Sequence, residues 1–144
     1  MKFRFLLSLV VLALSATSSD SNKISTNSKL TLPLEKVHVA LTNQIGKDLH
    51  CHCRSNDDLG QQKIASGRTY DFEFKVDFFG TTSFKCQMWW FNDKGAKMLG
   101  TDIVIYNYVR DQRDCDAKNN CARVAKGDGL YFDKNLKYRW TATK

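Results

Sequence analysis

The sequence predicts an all-β fold, a small antiparallel β-sandwich of about 7–8 short strands stapled by disulfides. Three observations predict it. Residues 70–78 alternate strictly, with Tyr70, Phe72, Phe74, Val76 and Phe78 on one face and Asp71, Glu73, Lys75 and Asp77 on the other. That period of two belongs to a strand with one buried and one wet face. Turn signals recur at roughly 8–12-residue intervals from Val37 onward. The chain also holds a single proline, Pro33, among its 144 residues. Proline removes a ladder donor, so a chain that is mostly paired strand has few places for it.

The first segment is an address. Residues 1–19, MKFRFLLSLVVLALSATSS, have a basic start at Lys2 and Arg4, an apolar run from Leu6 to Leu14, and small residues at Ala13, Ser15, Ala16 and Ser18. These are the three parts of a secretory signal peptide. The apolar run is well short of the ~20 residues a membrane span needs. Cleavage between Ser15 and Ser19 removes Lys2 and Arg4, so the formal charge falls from +7 to +5. The expected location is outside the cell, where an oxidising compartment favours disulfides. Residues 20–36 are polar and Ser/Thr/Asn-rich and read as a flexible lead. Residues 37–144 then form one domain. A hydrophobic content of 42% and a charged content of 26% exclude whole-chain disorder.

The elements of the domain follow in order. Residues 37–43 (VHVALTN) alternate and stop at Asn43, and residues 49–55 make a second run. The strand at 70–78 is followed by the turn Gly80-Thr81-Thr82. In 83–91, Phe84, Cys86, Met88 and Trp90 share a face, while Trp89 and Phe91 suggest cover on the other. Asn92-Asp93-Lys94-Gly95 is a turn in which glycine supplies positive φ. Residues 103–109 (IVIYNYV) are β-branched and aromatic, hence strand. Residues 110–120 read as a charged loop. Three short strands are expected at 121–125, 129–132 and 138–142, separated by turns at Lys126-Gly127-Asp128-Gly129 and Asp133-Lys134-Asn135.

Five cysteines allow several pairings. Cys115 and Cys121 flank a polar loop that a bridge would pin. A Cys53–Cys86 bridge would staple distant strands, and the longer loop it closes should make it the more stabilising of the two. Cys51 shares the face of Cys53, so Cys51–Cys86 stays open as an alternative. A leftover cysteine also leaves room for a disulfide-linked dimer of an otherwise monomeric protein.

No catalytic or metal signature emerges. In His50-Cys51-His52-Cys53 the two histidines share one strand face and the two cysteines the other, so the four cannot surround one zinc. There is no G-x-S-x-G. A secreted ribonuclease built on His38 and His52 is the enzyme alternative, without a local motif behind it. The Asn56-Asp57-Asp58 group lacks the spacing of a calcium loop and suits a capped turn. The basic residues are interleaved with Asp111, Asp114 and Asp116, which favours a solvated surface over nucleic-acid binding or a membrane-active defence protein. The reading is therefore a protein that is not an enzyme, with no cofactor, no nucleic acid and no membrane insertion.

Ordered motifs carry a resemblance. After Leu41-Thr42-Asn43 come His52-Cys53-Arg54-Ser55-Asn56-Asp57-Asp58-Leu59-Gly60, Gly67, Tyr70-x-Phe72-x-Phe74, Phe79-Gly80-Thr81-Thr82-x-Phe84-x-Cys86 and Trp89-Trp90. Tyr106, Arg110-Asp111, Cys115, Cys121, Asp128-Gly129-Leu130 and Trp140 complete the series. From about Val37 to Trp140 the chain resembles the plant self-incompatibility protein S1 family, the S-protein homologues. The resemblance implies a secreted β-sandwich with bridges Cys53–Cys86 and Cys115–Cys121. Cys51, left unpaired, is this sequence's departure. So is Ala122-Arg123, where the family more usually has an aromatic. Founding members act in poppy pistils as ligands that trigger rejection of incompatible pollen through a pollen-surface receptor. The expectation is thus an extracellular ligand for a cell-surface receptor protein, in pollen–pistil recognition or another developmental signal. Loops on rigid scaffolds carry recognition, so the expected contacts lie in loops 56–66, 92–100 and 110–120. The candidate residues are Asn56, Asp57, Asp58, Lys94, Lys97, Arg110, Arg113 and Lys118.

Overall fold

The computed structural model describes Leu32 and residues 34–144. The signal peptide read at 1–19 and nearly all of the lead read at 20–36 lie outside the described residues. Among the described residues, ten strands and one helical turn follow in chain order: β1 (Lys36–Asn43), β2 (Leu49–Arg54), β3 (Asp58–Ile64), β4 (Thr69–Lys75), β5 (Ser83–Phe91), β6 (Lys97–Asn107), α1 (Tyr108–Asp111), β7 (Asn120–Lys126), β8 (Gly129–Phe132), β9 (Asn135–Arg139) and β10 (Thr141–Ala142). They form two five-stranded sheets, β4-β1-β7-β8-β9 and β10-β6-β5-β2-β3.

The alternation in the sequence sets the inner faces. Val37, Val39 and Leu41 of β1 and Leu49, Cys51 and Cys53 of β2 are buried, as are Phe84, Cys86, Met88 and Trp90 of β5. The sheets meet through aromatic rings: Phe74 lies 4.5 Å from Phe84 and 4.8 Å from Tyr106, centroid to centroid. Offset and edge contacts of this kind add to the burial of the rings themselves. Asn43 is fully buried at the other end of β1. It is satisfied there, donating to the carbonyls of Lys47 (2.7 Å) and Ile64 (2.8 Å) and accepting from the Ile45 N–H (3.0 Å).

Several expectations need correction. Pairing is not antiparallel throughout, because β1 runs parallel to β7, with His38 opposite Asn120 and Asn43 opposite Ala125. Residues 58–64, read as part of a loop, form edge strand β3. Only Ile64 in that strand is buried, so no alternation announced it. β6 starts at Lys97 rather than 103 and bulges around Asp102, whose φ is 52°. Tyr108 and Val109 leave the strand for α1, because the Asn107 side chain caps the turn by accepting from the Arg110 N–H at 3.2 Å. β9 begins at Asn135, directly after a tight turn at Asp133 and Lys134. Phe78 does not join the buried face of β4. The strand ends at Lys75, and Phe78 is 69% exposed. The end of the lead is also held: the Leu34 N–H donates to Val76 O at 2.8 Å, and the Val76 N–H donates to Glu35 O at 2.9 Å.

The registers sort the connections by end. Arg54 lies opposite Lys85, Lys36 opposite Lys75, and Ser83 opposite Asn107. The β2–β3 turn, the β4–β5 turn, α1 and the 112–119 loop therefore share one end of the sandwich. The β5–β6 turn at 92–96 lies at the other.

Candidate functional site

The loop-rich end is built around a buried charge. Asp111 is 1% exposed and accepts from Arg110 Nε (2.9 Å), Arg110 Nη2 (2.7 Å) and the Asn107 N–H (2.8 Å). Arg110 Nη2 also donates to Val104 O at 2.8 Å, and its guanidinium lies 4.8 Å from the Phe132 ring centroid. Arg123, 3% exposed, stacks 3.8 Å over the same ring and donates from Nε to Ile105 O at 2.9 Å. Cation–π stacking and charged hydrogen bonds of this kind rigidify the junction between α1 and both sheets. Arg110, a candidate loop contact, is thus turned inward as a structural group.

The β4–β5 turn is organised just as tightly. Asp77 accepts from the Thr81 N–H (2.7 Å), Thr81 Oγ1 (2.7 Å) and Thr82 Oγ1 (2.6 Å). Those donors, Thr82 first, hold its carboxyl down at about 2. Gly80 completes the turn at φ +65°, and a Cβ there would sit 2.5 Å from the Tyr108 ring. The result is a fixed loop presenting two outward rings, Phe78 and Phe79 (84% exposed), stacked edge to face at 5.5 Å. Sequence reasoning missed this pair as a surface feature. The signal available was the doublet itself, which breaks the alternation just before Gly80.

The other candidate residues separate. Asn56 and Asp57 are exposed in the β2–β3 turn. Asp58 opens β3 and accepts from the Gly60 N–H at 2.8 Å, with His52 Nε2 2.5 Å away. The Gly60 bond first, then His52, draws its pKa down. Arg113 and Lys118 are exposed at the same end. Lys94 and Lys97 belong to the opposite end, where Lys97 Nζ sits 5.2 Å from the Trp89 ring centroid and His50 stacks on Trp89 at 5.3 Å. The structure therefore brings two of the three expected loops together and leaves the third apart.

The cysteines form bridges Cys53–Cys86 and Cys115–Cys121. Cys51 is free and fully buried. Burial pushes its thiol up to about 12 and holds it on the inner face of β2. His50 and His52 lie on the outer face of β2 and Cys51 on the inner, as the pleat requires.

Comparison with known proteins places this architecture. The family model for plant self-incompatibility protein S1 matches residues 38–143. The chain belongs to that family. The S1 relatives include self-incompatibility protein S1 of Papaver rhoeas, 36% identical over 106 residues that cover 71% of this chain and 70% of that one. S-protein homolog 2 of Arabidopsis thaliana is 32% identical over 67% of this chain and 55% of its own length. S-protein homolog 20 of the same plant is 41% identical over 65% of this chain and 66% of its own length. These relatives carry names of self-incompatibility and S-protein homologues rather than of enzymes. A solved SPH protein, from a family described as small, highly stable, secreted proteins from plants, overlays with a TM-score of 0.47 at 19% identity, over 74% of this chain and 96% of that one. Among the described residues of this S1-family chain, no helix is long and apolar enough to cross a membrane.

Proposed function

We propose that this protein is a secreted extracellular signalling ligand that binds a cell-surface receptor, in pollen–pistil recognition or another developmental signal. The observation that carries the reading is the loop-rich end. There the Asp77 turn holds exposed Phe78 and Phe79, and the Asp111 network and the Cys115–Cys121 bridge hold the segment that carries exposed Arg113 and Lys118, at the same end as exposed Asn56 and Asp57. Preorganised loops bind without the entropic cost of ordering them, and adjacent aromatics supply the buried anchor of an interface. Membership of the S1 family supports the same reading. So does the leader read at residues 1–19, which directs the chain out of the cell.

Binding of the labelled, oxidised protein to intact plant cells or pollen tubes tests it. The expected result is saturable binding that unlabelled protein displaces and that falls when Phe78 and Phe79 are both changed to Ser. Binding that never saturates, or that all loop variants share equally, overturns it.

A further inference from the structure

The registers also sort the charges by end. Opposite the Phe78–Phe79 loop lie the turns at 44–48, 65–68, 92–96 and 127–128. They are tied together by the Gln44 N–H donating to Ala125 O (2.8 Å), the Gly67 N–H to Asn43 O (2.7 Å) and Trp140 Nε1 to Lys126 O (2.6 Å). This end carries Arg68, Lys94, Lys97, Lys126 and Arg139, with Lys97 opposite Phe91 and Arg139 opposite Gly129 in their ladders. None of the five has a carboxylate within 4.0 Å among the described residues. Lys47 and Lys63 join them, paired with Asp93 at 2.7 Å and Asp48 at 3.4 Å. The third carboxylate of this end, Asp128, accepts from the Tyr131 hydroxyl at 2.7 Å. Seven cations therefore stand against three carboxylates, Lys144 left aside.

Over the rest of the described residues ten cations meet eleven carboxylates, so the basic charge of the domain is concentrated at this one end. The interleaving with Asp111, Asp114 and Asp116 belongs to the opposite end, and chain order hides the segregation. Residues 1–31 and 33 hold a single carboxylate, Asp20, too little charge to neutralise it. Two of the unpaired cations are held over rings: Lys97 Nζ lies 5.2 Å from the Trp89 centroid and Lys126 Nζ 4.6 Å from that of Tyr131. Like charge gathered on one face raises the local concentration of an anionic partner.

We infer that this end binds a carboxylated extracellular polysaccharide, a polymer of uronic acid, and leaves the loop-rich end free. The inference goes beyond the receptor reading and does not depend on it. The leader read at residues 1–19 directs the chain to where such polymers lie. A polyuronate carries one carboxylate on each sugar, and a flexible chain reaches cations scattered over several turns and strand ends. A duplex backbone asks instead for cations aligned along a track. The C–H faces of the sugars suit Phe91, which is 50% exposed and opposite Lys97. A lipid surface fits this end poorly. The other exposed large apolar side chains among the described residues, Leu32, Leu34, Phe78, Phe79 and Val109, lie at the opposite end.

An oligogalacturonate of about ten sugars is the probe, titrated into the oxidised secreted protein at low ionic strength, where screening is least, and followed by amide NMR. The expected result is saturable binding tighter than about 100 μM, with shifts at Arg68, Lys94, Lys97, Lys126 and Arg139. The triple variant Lys94→Gln/Lys126→Gln/Arg139→Gln, all exposed positions, should weaken it at least about tenfold while keeping the wild-type circular dichroism. Lys75→Gln/Lys85→Gln, exposed at the other end, should change it by no more than about twofold. No binding at about 1 mM overturns the inference. So does equal binding of the methyl-esterified oligomer, a footprint at the loop-rich end, or equal weakening by the two variants. Equal or tighter binding of a DNA oligonucleotide or of phosphatidylserine vesicles, at the same molar charge, overturns the polysaccharide as occupant.

Discussion

Arg123 Nη2 lies 3.3 Å from Asp111 Oδ2, with both side chains at least 97% buried, so a charge from α1 and one from β7 meet in the core. Arg123 uses the Phe132 ring as its floor. Such a pair is costly to half-remove. Asp111→Asn leaves two guanidinium groups uncompensated and is expected to cost about 3–5 kcal/mol. Arg123→Met, which removes charge but keeps volume, should cost clearly less when paired with Asp111→Asn than Asp111→Asn costs alone. Chemical denaturation of the three variants measures both.

The acid limb of stability should carry the mark of Asp77. Its pKa falls from 3.8 to about 2 on folding. A carboxyl depressed in the folded state stabilises fully above its unfolded value and loses that contribution as pH drops from about 4 towards 2. Asp77→Asn should therefore flatten the pH dependence of unfolding in that window. An unchanged acid limb would show that the Thr81 and Thr82 bonds do not survive in solution.

Cys51 should be chemically silent in the folded protein. A thiol raised to about 12 holds almost no thiolate at neutral pH. Mass spectrometry after alkylation at pH 8 should show no added group on the native protein and one on protein unfolded without reductant. Rapid labelling of the native form would mean that β2 opens.

The two bridges should differ in worth. Cys53–Cys86 spans a sequence separation of 33 and Cys115–Cys121 one of 6. Loop-closure entropy gives about 4 and about 2 kcal/mol. Paired replacement by Ala, Cys53 with Cys86 and separately Cys115 with Cys121, tests the order. A larger loss from the shorter loop would contradict it.

The surface aromatics should affect binding and not folding. Phe78→Ser with Phe79→Ser is expected to shift stability by no more than about 0.5 kcal/mol, as for exposed positions generally. Gly80→Ala should cost more than that double change, because its positive φ and the Tyr108 ring leave no room for a Cβ. Thermal unfolding of the two variants compares them directly.

Much of the fold was legible because burial of one strand face writes a period of two into the chain. β1, β4, β5 and β8 could be read within a residue or a few, and Cys51 and Cys53 were placed on one face by counting alone. β3 escaped because an edge strand with one buried residue, Ile64, leaves no pattern. Lys97 and Arg110 show the same limit for the candidate site. Each is a charged residue near a turn, yet one is drawn over Trp89 and the other over Phe132.

By itself, then, the amino-acid order determined the all-β class, the inward and outward sets along each strong strand, and the family. These depend on local periodicity and ordered motifs. Tertiary structure alone decided that β1 and β7 run parallel, that Arg123 finds Asp111, and that loop 92–100 sits at the far end. The reason is physical. Pairing partners and end-to-end placement arise from contacts between residues far apart in the chain, and such contacts leave no periodic trace in the segments that make them.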